Sequence, residues 1–179
     1  MIDALVHLDF KPDVIHCHDW QTGMIPALLK IQYAQFPFYQ DMKTVYTIHN
    51  LQYQGVFPIK AVQDTLGLGD DLFTSDKLEC YGCANYMKAG LVYADELTTV
   101  SPSYADEIQT AFYGERLDGL LRARKERPRI GARHHKPMQR ERQFAQFLLR
   151  IAPVRREKSV AAHLVACLLY TSDAADEAR

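Results

Sequence analysis

Along the first two thirds of the chain, apolar residues gather into short unbroken runs that alternate with segments of helical period. Asp13 to Cys17 is a β-branched run after Lys11-Pro12, and its lack of in-and-out alternation predicts a strand buried on both faces. A helix is expected from about Gly23 to Ala34, where Met24, Ile25, Leu28, Leu29 and Ile31 recur at helical spacing and Pro26 fits the first turn. Lys43 to His49 reads as the next strand, ending at Asn50. Between Leu51 and Asp76, Gly55, Gly67 and Gly69 sit among acids without a sustained period, which predicts loops and one short helix. Tyr81 to Tyr93 reads as a helix that packs Tyr86, Met87, Leu91 and Val92 inward, and Glu96 to Val100 as a third strand. Ser101-Pro102 marks a helix start, because the serine oxygen accepts an orphan backbone N–H and proline fits the first helical position. That helix is expected to run through Ala105 to about Thr110. Strand and helix alternating three times predict an α/β fold, a parallel and doubly wound layer.

After about Arg127 this pattern is lost. Arg129, Arg133, His134, His135, Lys136, Arg140 and Arg142 are scattered without an apolar face, and Phe144 to Leu149 is the only compact apolar patch before Ala161. Charge divides the chain at nearly the same place. Residues 1–121 carry 7 Lys plus Arg against 16 Asp plus Glu, a balance of −9, whereas residues 122–179 carry 14 against 6, a balance of +8. The formal net charge of −1 conceals that split. A basic segment can be a nucleic-acid footprint. Here only Phe144 and Phe147 supply aromatics between Arg122 and Ala166, and the arginines share no helical face, so no nucleic-acid partner is expected.

At 179 residues, 47% of them hydrophobic, the chain is long enough to bury a core. No stretch approaches the roughly 20 apolar residues that span a bilayer, and Met1-Ile2-Asp3-Ala4-Leu5 has neither a basic leader nor a long apolar segment. A cytoplasmic protein with no membrane partner is therefore expected. Four irregularly placed cysteines do not make a disulfide framework in a chain of this length. Cys80-x-x-Cys83 is a lone pair without nearby histidines or a second pair, and reads better as two small apolar side chains at a helix entrance than as a zinc site.

Two of the apolar runs stop abruptly in polar clusters: His16-Cys17-His18-Asp19-Trp20 after the first strand, and His49-Asn50-Leu51-Gln52-Tyr53-Gln54-Gly55 after the second. In open parallel sheets the loops at the carboxyl ends of strands bind ligands, so two such clusters outline one site. His16 and His18 lie two apart and face the same way on a strand. Paired imidazoles beside a carboxylate could be zinc ligands, although the sequence lacks the further histidine that metallohydrolase signatures place after the acid. A purely structural reading makes His16 a satisfied core histidine and Trp20 a cap on the sheet. The third reading is a sugar or nucleotide pocket. A sugar presents many hydroxyls and no net charge, which imidazole, carboxamide and carboxylate groups can bind while aromatic faces cover its C–H surfaces. Asp19, Trp20, His49, Asn50, Tyr53 and Gln54 form such a set, and Gly55 lets the backbone approach a ligand.

The motifs Pro12-Asp13-Val14-Ile15-His16-Cys17-His18-Asp19-Trp20-Gln21-Thr22-Gly23, Tyr46-Thr47-Ile48-His49-Asn50-Leu51-Gln52-Tyr53-Gln54-Gly55, Lys88-Ala89-Gly90-Leu91, Tyr93-Ala94-Asp95 and Thr99-Val100-Ser101-Pro102-Ser103-Tyr104-Ala105 occur in one order. Together with Gly119-Leu120-Leu121-Arg122-Ala123-Arg124 they resemble the bacterial glycogen and plant starch synthases that use ADP-glucose. The resemblance covers roughly residues 10–125. It implies a GT-B glycosyltransferase whose amino-terminal Rossmann-like domain is represented here in part, over residues 1–125. Such enzymes transfer glucose from ADP-glucose to the non-reducing end of an α-1,4-glucan, with retention at the anomeric carbon and without a metal or other cofactor. The likeness further implies that His49 lies against the transferred glucose with its carbonyl near the developing oxocarbenium. It places Asp19 nearby, steadying positive charge or the acceptor, while His18, Trp20, Asn50, Tyr53, Gln54 and Gly55 shape the cleft. A related GT-B enzyme of the sucrose or trehalose-synthase type, or a non-enzymatic remnant, is the alternative; Gln52-Tyr53-Gln54-Gly55 after His49-Asn50 favours the glucan synthases.

Two departures stand out. The family's Lys-x-Gly-Gly donor loop does not occur in the chain, nor does the second domain that holds the nucleotide diphosphate, so the polypeptide by itself is expected to be inactive. Residues 126–179 are expected to be a disordered basic tail of frameshifted or artefactual origin, with Cys167 to Glu177 resembling translated adapter sequence. A clean in-frame DNA template over Arg127 to Arg179 would remove that idea.

Overall fold

The computed structural model describes residues 2–126; the expected basic tail therefore lies outside the described residues. After a short helix α1 (Ala4–His7), strand β1 (Val14–His18) leads through a tight turn at Trp20–Thr22 into helix α2 (Met24–Ile31). Strand β2 (Lys43–Ile48) follows, then β3 (Val56–Phe57), α3 (Ile59–Leu66), a hairpin of β4 (Glu79–Cys80) and β5 (Cys83–Asn85), and helix α4 (Tyr86–Tyr93). Strand β6 (Glu96–Thr99) and helices α5 (Pro102–Glu107) and α6 (Asp118–Glu126) complete the described chain.

The main sheet has the order β1-β2-β6 and is wholly parallel, as the alternation of runs predicts. The register sets His16 beside Val45, His18 beside Thr47 and Thr47 beside Thr98. Because side chains alternate across a strand, the sheet divides into unlike faces. Cys17, Tyr46 and Ile48 point into a core shared with Met87 and Leu91 of α4, Ile108, and Leu117 and Leu121 around α6. His16 and Thr47 point the other way and form a polar row with Thr98, in which His16 Nε2 lies 2.6 Å from Thr47 Oγ1 and Thr47 Oγ1 lies 2.6 Å from Thr98 Oγ1. Each polar group in that row is paired, as burial requires.

Helix α4 is buried nearly all round. Met87 and Leu91 belong to the sheet core, while Ala89 packs into a second core with Met24, Ala27, Val62, Leu72 and Leu78. Gly90 is needed here because a Cβ would lie 2.4 Å from Cζ of the fully buried Tyr46 ring. Lys88, also buried, donates from Nζ to the carbonyls of Ser75 and Glu79.

The expected helix over Tyr81–Tyr93 is corrected at its start. Tyr81 and Gly82, both at positive φ (52° and 80°), make the turn of the β4–β5 hairpin, and the helix begins only at Tyr86. Two consecutive residues at positive φ are the mark of a two-residue hairpin turn. Asn85 caps the helix by accepting from the Lys88 N–H at 2.8 Å. Cys80 and Cys83 are consequently cross-strand neighbours in the hairpin rather than a helix entrance. Ser101 does cap α5, accepting from Tyr104 N–H at 3.1 Å with Pro102 in the first turn. That helix runs over Pro102–Glu107, a few residues earlier than expected, and α2 stops at Ile31 rather than Ala34.

Candidate active site

The carboxyl ends of β1 and β2 bring the two polar clusters together. Asp19 continues the ladder through its N–H to the Thr47 carbonyl at 3.0 Å. Its carboxylate Oδ1 then accepts from the backbone N–H of His49 at 2.7 Å and of Asn50 at 3.3 Å. One side chain thus ties the loop after β1 to the loop after β2. Asp19 has φ 50°, in a region that costs energy outside glycine and persists where the surroundings over-determine it. Thr22 reinforces the turn. Its hydroxyl accepts from His18 N–H at 2.6 Å and donates to the His18 carbonyl at 2.7 Å.

His18 Nδ1 lies 3.0 Å from His49 Nε2, and the His16 and His18 rings pack at a tilt of 36° with centroids 4.2 Å apart. Burial, with smaller contributions from the neighbouring His18 and His49, lowers the pKa of His16 to about 4. Burial and then His49 lower that of His18 as well, against an opposing pull from Asp19. Both imidazoles are therefore neutral near pH 7, able to donate at one nitrogen and accept at the other.

A second knot lies beside this one. The Gln54 and Gly55 carbonyls accept from the first amides of α4, Met87 N–H at 2.9 Å and Tyr86 N–H at 3.1 Å. The Gln54 carboxamide accepts from Asn85 Nδ2 at 2.6 Å and donates to the Glu115 carbonyl at 2.9 Å. Gly55 has φ 61°, and a Cβ there would lie 2.3 Å from Cε3 of Trp20, so the glycine serves a close approach of the indole. Trp20 also neighbours Phe57, with ring centroids 6.0 Å apart. Tyr53 projects outward and is 58% exposed. Asn50 Oδ1 accepts from Gln52 N–H at 3.0 Å, while Leu51 N–H donates to the Tyr104 hydroxyl at 3.0 Å.

The structure therefore gathers His18, Asp19, His49 and Asn50 into one constellation, and sets Trp20, Gln54 and Gly55 in an adjoining packed knot with Tyr53 at its exposed edge. Sequence reasoning missed Thr22, Thr47, Asn85 and Tyr104, which hold these loops. Only Asn85 carried a local signal, an asparagine just ahead of a helix. Among the described residues no group of three or more histidine, cysteine or acidic side chains is placed to hold a metal ion. A cavity of about 470 Å³ lies elsewhere, lined by residues including Asp76, Glu79, Cys80, Tyr81, Lys88 and Arg116. No helix of the described residues is long and apolar enough to cross a membrane.

A parallel α/β layer with polar loops gathered at the carboxyl ends of its strands is the arrangement in which open sheets bind ligands, and comparison supplies the family. The starch synthase catalytic domain family matches residues 1–123. The glycogen synthase of Lachnospira eligens is 59% identical over 123 residues, covering 69% of this chain and 26% of that protein. The glycogen synthase of Geobacillus thermodenitrificans is 59% identical over 126 residues, with 70% of this chain and again 26% of that protein covered. Among solved structures, the catalytic domain of starch synthase IV from Arabidopsis thaliana, bound to ADP and acarbose, superposes with a TM-score of 0.65 at 31% identity, covering 70% of this chain and 26% of that one. The chain belongs to the glycogen and starch synthase family of glycosyltransferases. It spans about a quarter of the length of these relatives.

Proposed function

We propose that this chain is part of a retaining glucosyltransferase that moves glucose from ADP-glucose to the non-reducing end of an α-1,4-glucan, and that residues 1–125 supply one wall of its cleft. The observation that carries this reading is the Asp19 carboxylate holding the backbone amides of His49 and Asn50 where two parallel strands end. That contact fixes the His49 peptide and places a negative charge beside it. In a transfer through an oxocarbenium-like state, a rigid carbonyl and a nearby carboxylate oppose the positive charge that develops on the sugar. Asp19 acts in this scheme chiefly as an anchor, and His49 presents its carbonyl and ring to glucose. His18 and Asn50 set the loop, Trp20 and Gly55 shape its flank together with Gln54, and Tyr53 offers an aromatic face to the glucan. The ADP and acarbose bound to the Arabidopsis relative support an adenosine diphosphate leaving group and an oligosaccharide acceptor. No resident cofactor enters the scheme, and the diphosphate would be met by residues beyond this segment.

The test is transfer of labelled glucose to glycogen by the in-frame parent enzyme, with ADP-glucose and UDP-glucose compared as donors. Preference for ADP-glucose is the expected result. Preference for UDP-glucose would move the chain to another branch of nucleotide-sugar transferases, and absence of transfer from either donor would refute the reading.

A further inference from the structure

The contact between His18 and His49 has a chemical constraint built into it. Two imidazole nitrogens 3.0 Å apart form a hydrogen bond only with one hydrogen between them, because two lone pairs repel and two N–H groups clash. We propose that His18 is the positioning residue for His49: the pair shares one proton across Nδ1···Nε2, and His18 thereby fixes the His49 ring and couples its tautomer to that of His18. The proposal rests on the glucose-transfer reading for its functional meaning, since Nδ1 of His49 is the ring nitrogen left to meet a sugar hydroxyl. Which hydrogen-bonding role that nitrogen plays is decided by the proton at the far side of the ring.

Three observations make His18 a device rather than a chance neighbour. Its backbone is clamped on both sides by the Thr22 hydroxyl, through N–H and carbonyl. Its ring packs at a tilt against His16, which is itself held through Thr47 to Thr98. The His49 backbone is already pinned by Asp19, so ring rotation is the main freedom that remains, and His18 removes it. Burial keeps His16 and His18 from charging, so His49 does not face two cations.

The experiment is NMR of the full 179-residue chain with its histidines labelled in the ring nitrogens. The expected result is a nitrogen–nitrogen coupling between His18 Nδ1 and His49 Nε2, with the His49 ring held in one orientation. In His18→Phe the coupling is lost and the His49 ring gains rotational freedom; in His18→Asn, whose carboxamide reaches the Nδ1 position and can donate or accept there, the ring is held again. Absence of the coupling in the wild-type chain, or unchanged mobility of the His49 ring in His18→Phe, would overturn the proposal. Should His18→Phe fail to fold, the wild-type coupling and His18→Asn decide it. Addition of ADP-glucose to the in-frame parent enzyme separates the two readings: no response of the His49 ring to the donor there counts against glucose handling and leaves the proton-sharing pair standing.

Discussion

At the scale of single residues, the polar face of the sheet makes the protein sensitive to acid in a defined window. His16 titrates near 6.5 in an unfolded chain and at about 4 in the folded one. Between these values the unfolded chain binds a proton that the native state refuses, so stability falls as the pH drops from about 6.5 towards 4 and then levels. His18, shifted in the same direction, adds to the slope. Urea midpoints measured across that range are expected to decline with acid, and His16→Asn to make the decline shallower; an unchanged slope in the variant would show that His16 does not couple to folding. Asp19, His49 and Asn50 were legible as chemistry in the sequence because each ends an apolar run. Their supports were not. Thr47 looks like any β-branched strand residue, and Tyr104 lies 53 positions from the Leu51 amide that it accepts from, so only the folded register reveals either.

At the scale of elements, the sheet was readable because β1 and β2 are short apolar runs flanked by polar breaks, the pattern of a strand covered on both faces. Helix α4 was harder. It packs into two cores at once, so it has no single apolar stripe whose start could be located, and Tyr81 at the hairpin tip was taken into its period. The same double packing makes its small residues indispensable. Gly90→Ala raises intrinsic helix propensity by about 1 kcal/mol, but its methyl would strike the Tyr46 ring, which is fully buried in the core with its hydroxyl donating to Met87 Sδ at 3.1 Å. Overpacking of this kind costs about 1–3 kcal/mol, so the clash wins. Thermal denaturation is expected to show a lower Tm for Gly90→Ala; a raised Tm would mean that the helix shifts freely and that the close approach is not a constraint. The link between α2, β2 and the start of β6 is polar instead. Asp95 accepts from Lys30 Nζ at 2.7 Å, from Thr44 N–H at 2.8 Å and from the Thr44 hydroxyl at 3.0 Å. Burial alone would raise its pKa, yet Lys30 and Thr44 together hold it below the ordinary value.

At the scale of the molecule, the family match ends at residue 123, close to where the acidic balance of the first 121 residues gives way to a basic one. The agreement of those two boundaries supports the proposal that residues 1–125 are the glycosyltransferase segment and that the rest has another origin. Resequencing of the source DNA is expected to show a break in frame near Arg127, and a continuous in-frame template would contradict it. Within the segment, Asp19 is the pivot: its carboxylate joins the loops after β1 and β2, and every role proposed for His49 presumes that junction. The direct test is the rate of glucose transfer from ADP-glucose to glycogen by the in-frame parent enzyme carrying Asp19→Ala, with circular dichroism to confirm the fold. Loss of an electrostatic anchor at the reacting centre typically lowers kcat by about 10²–10³, and a fall of that order is predicted. A folded variant that transfers glucose at the wild-type rate would contradict the account.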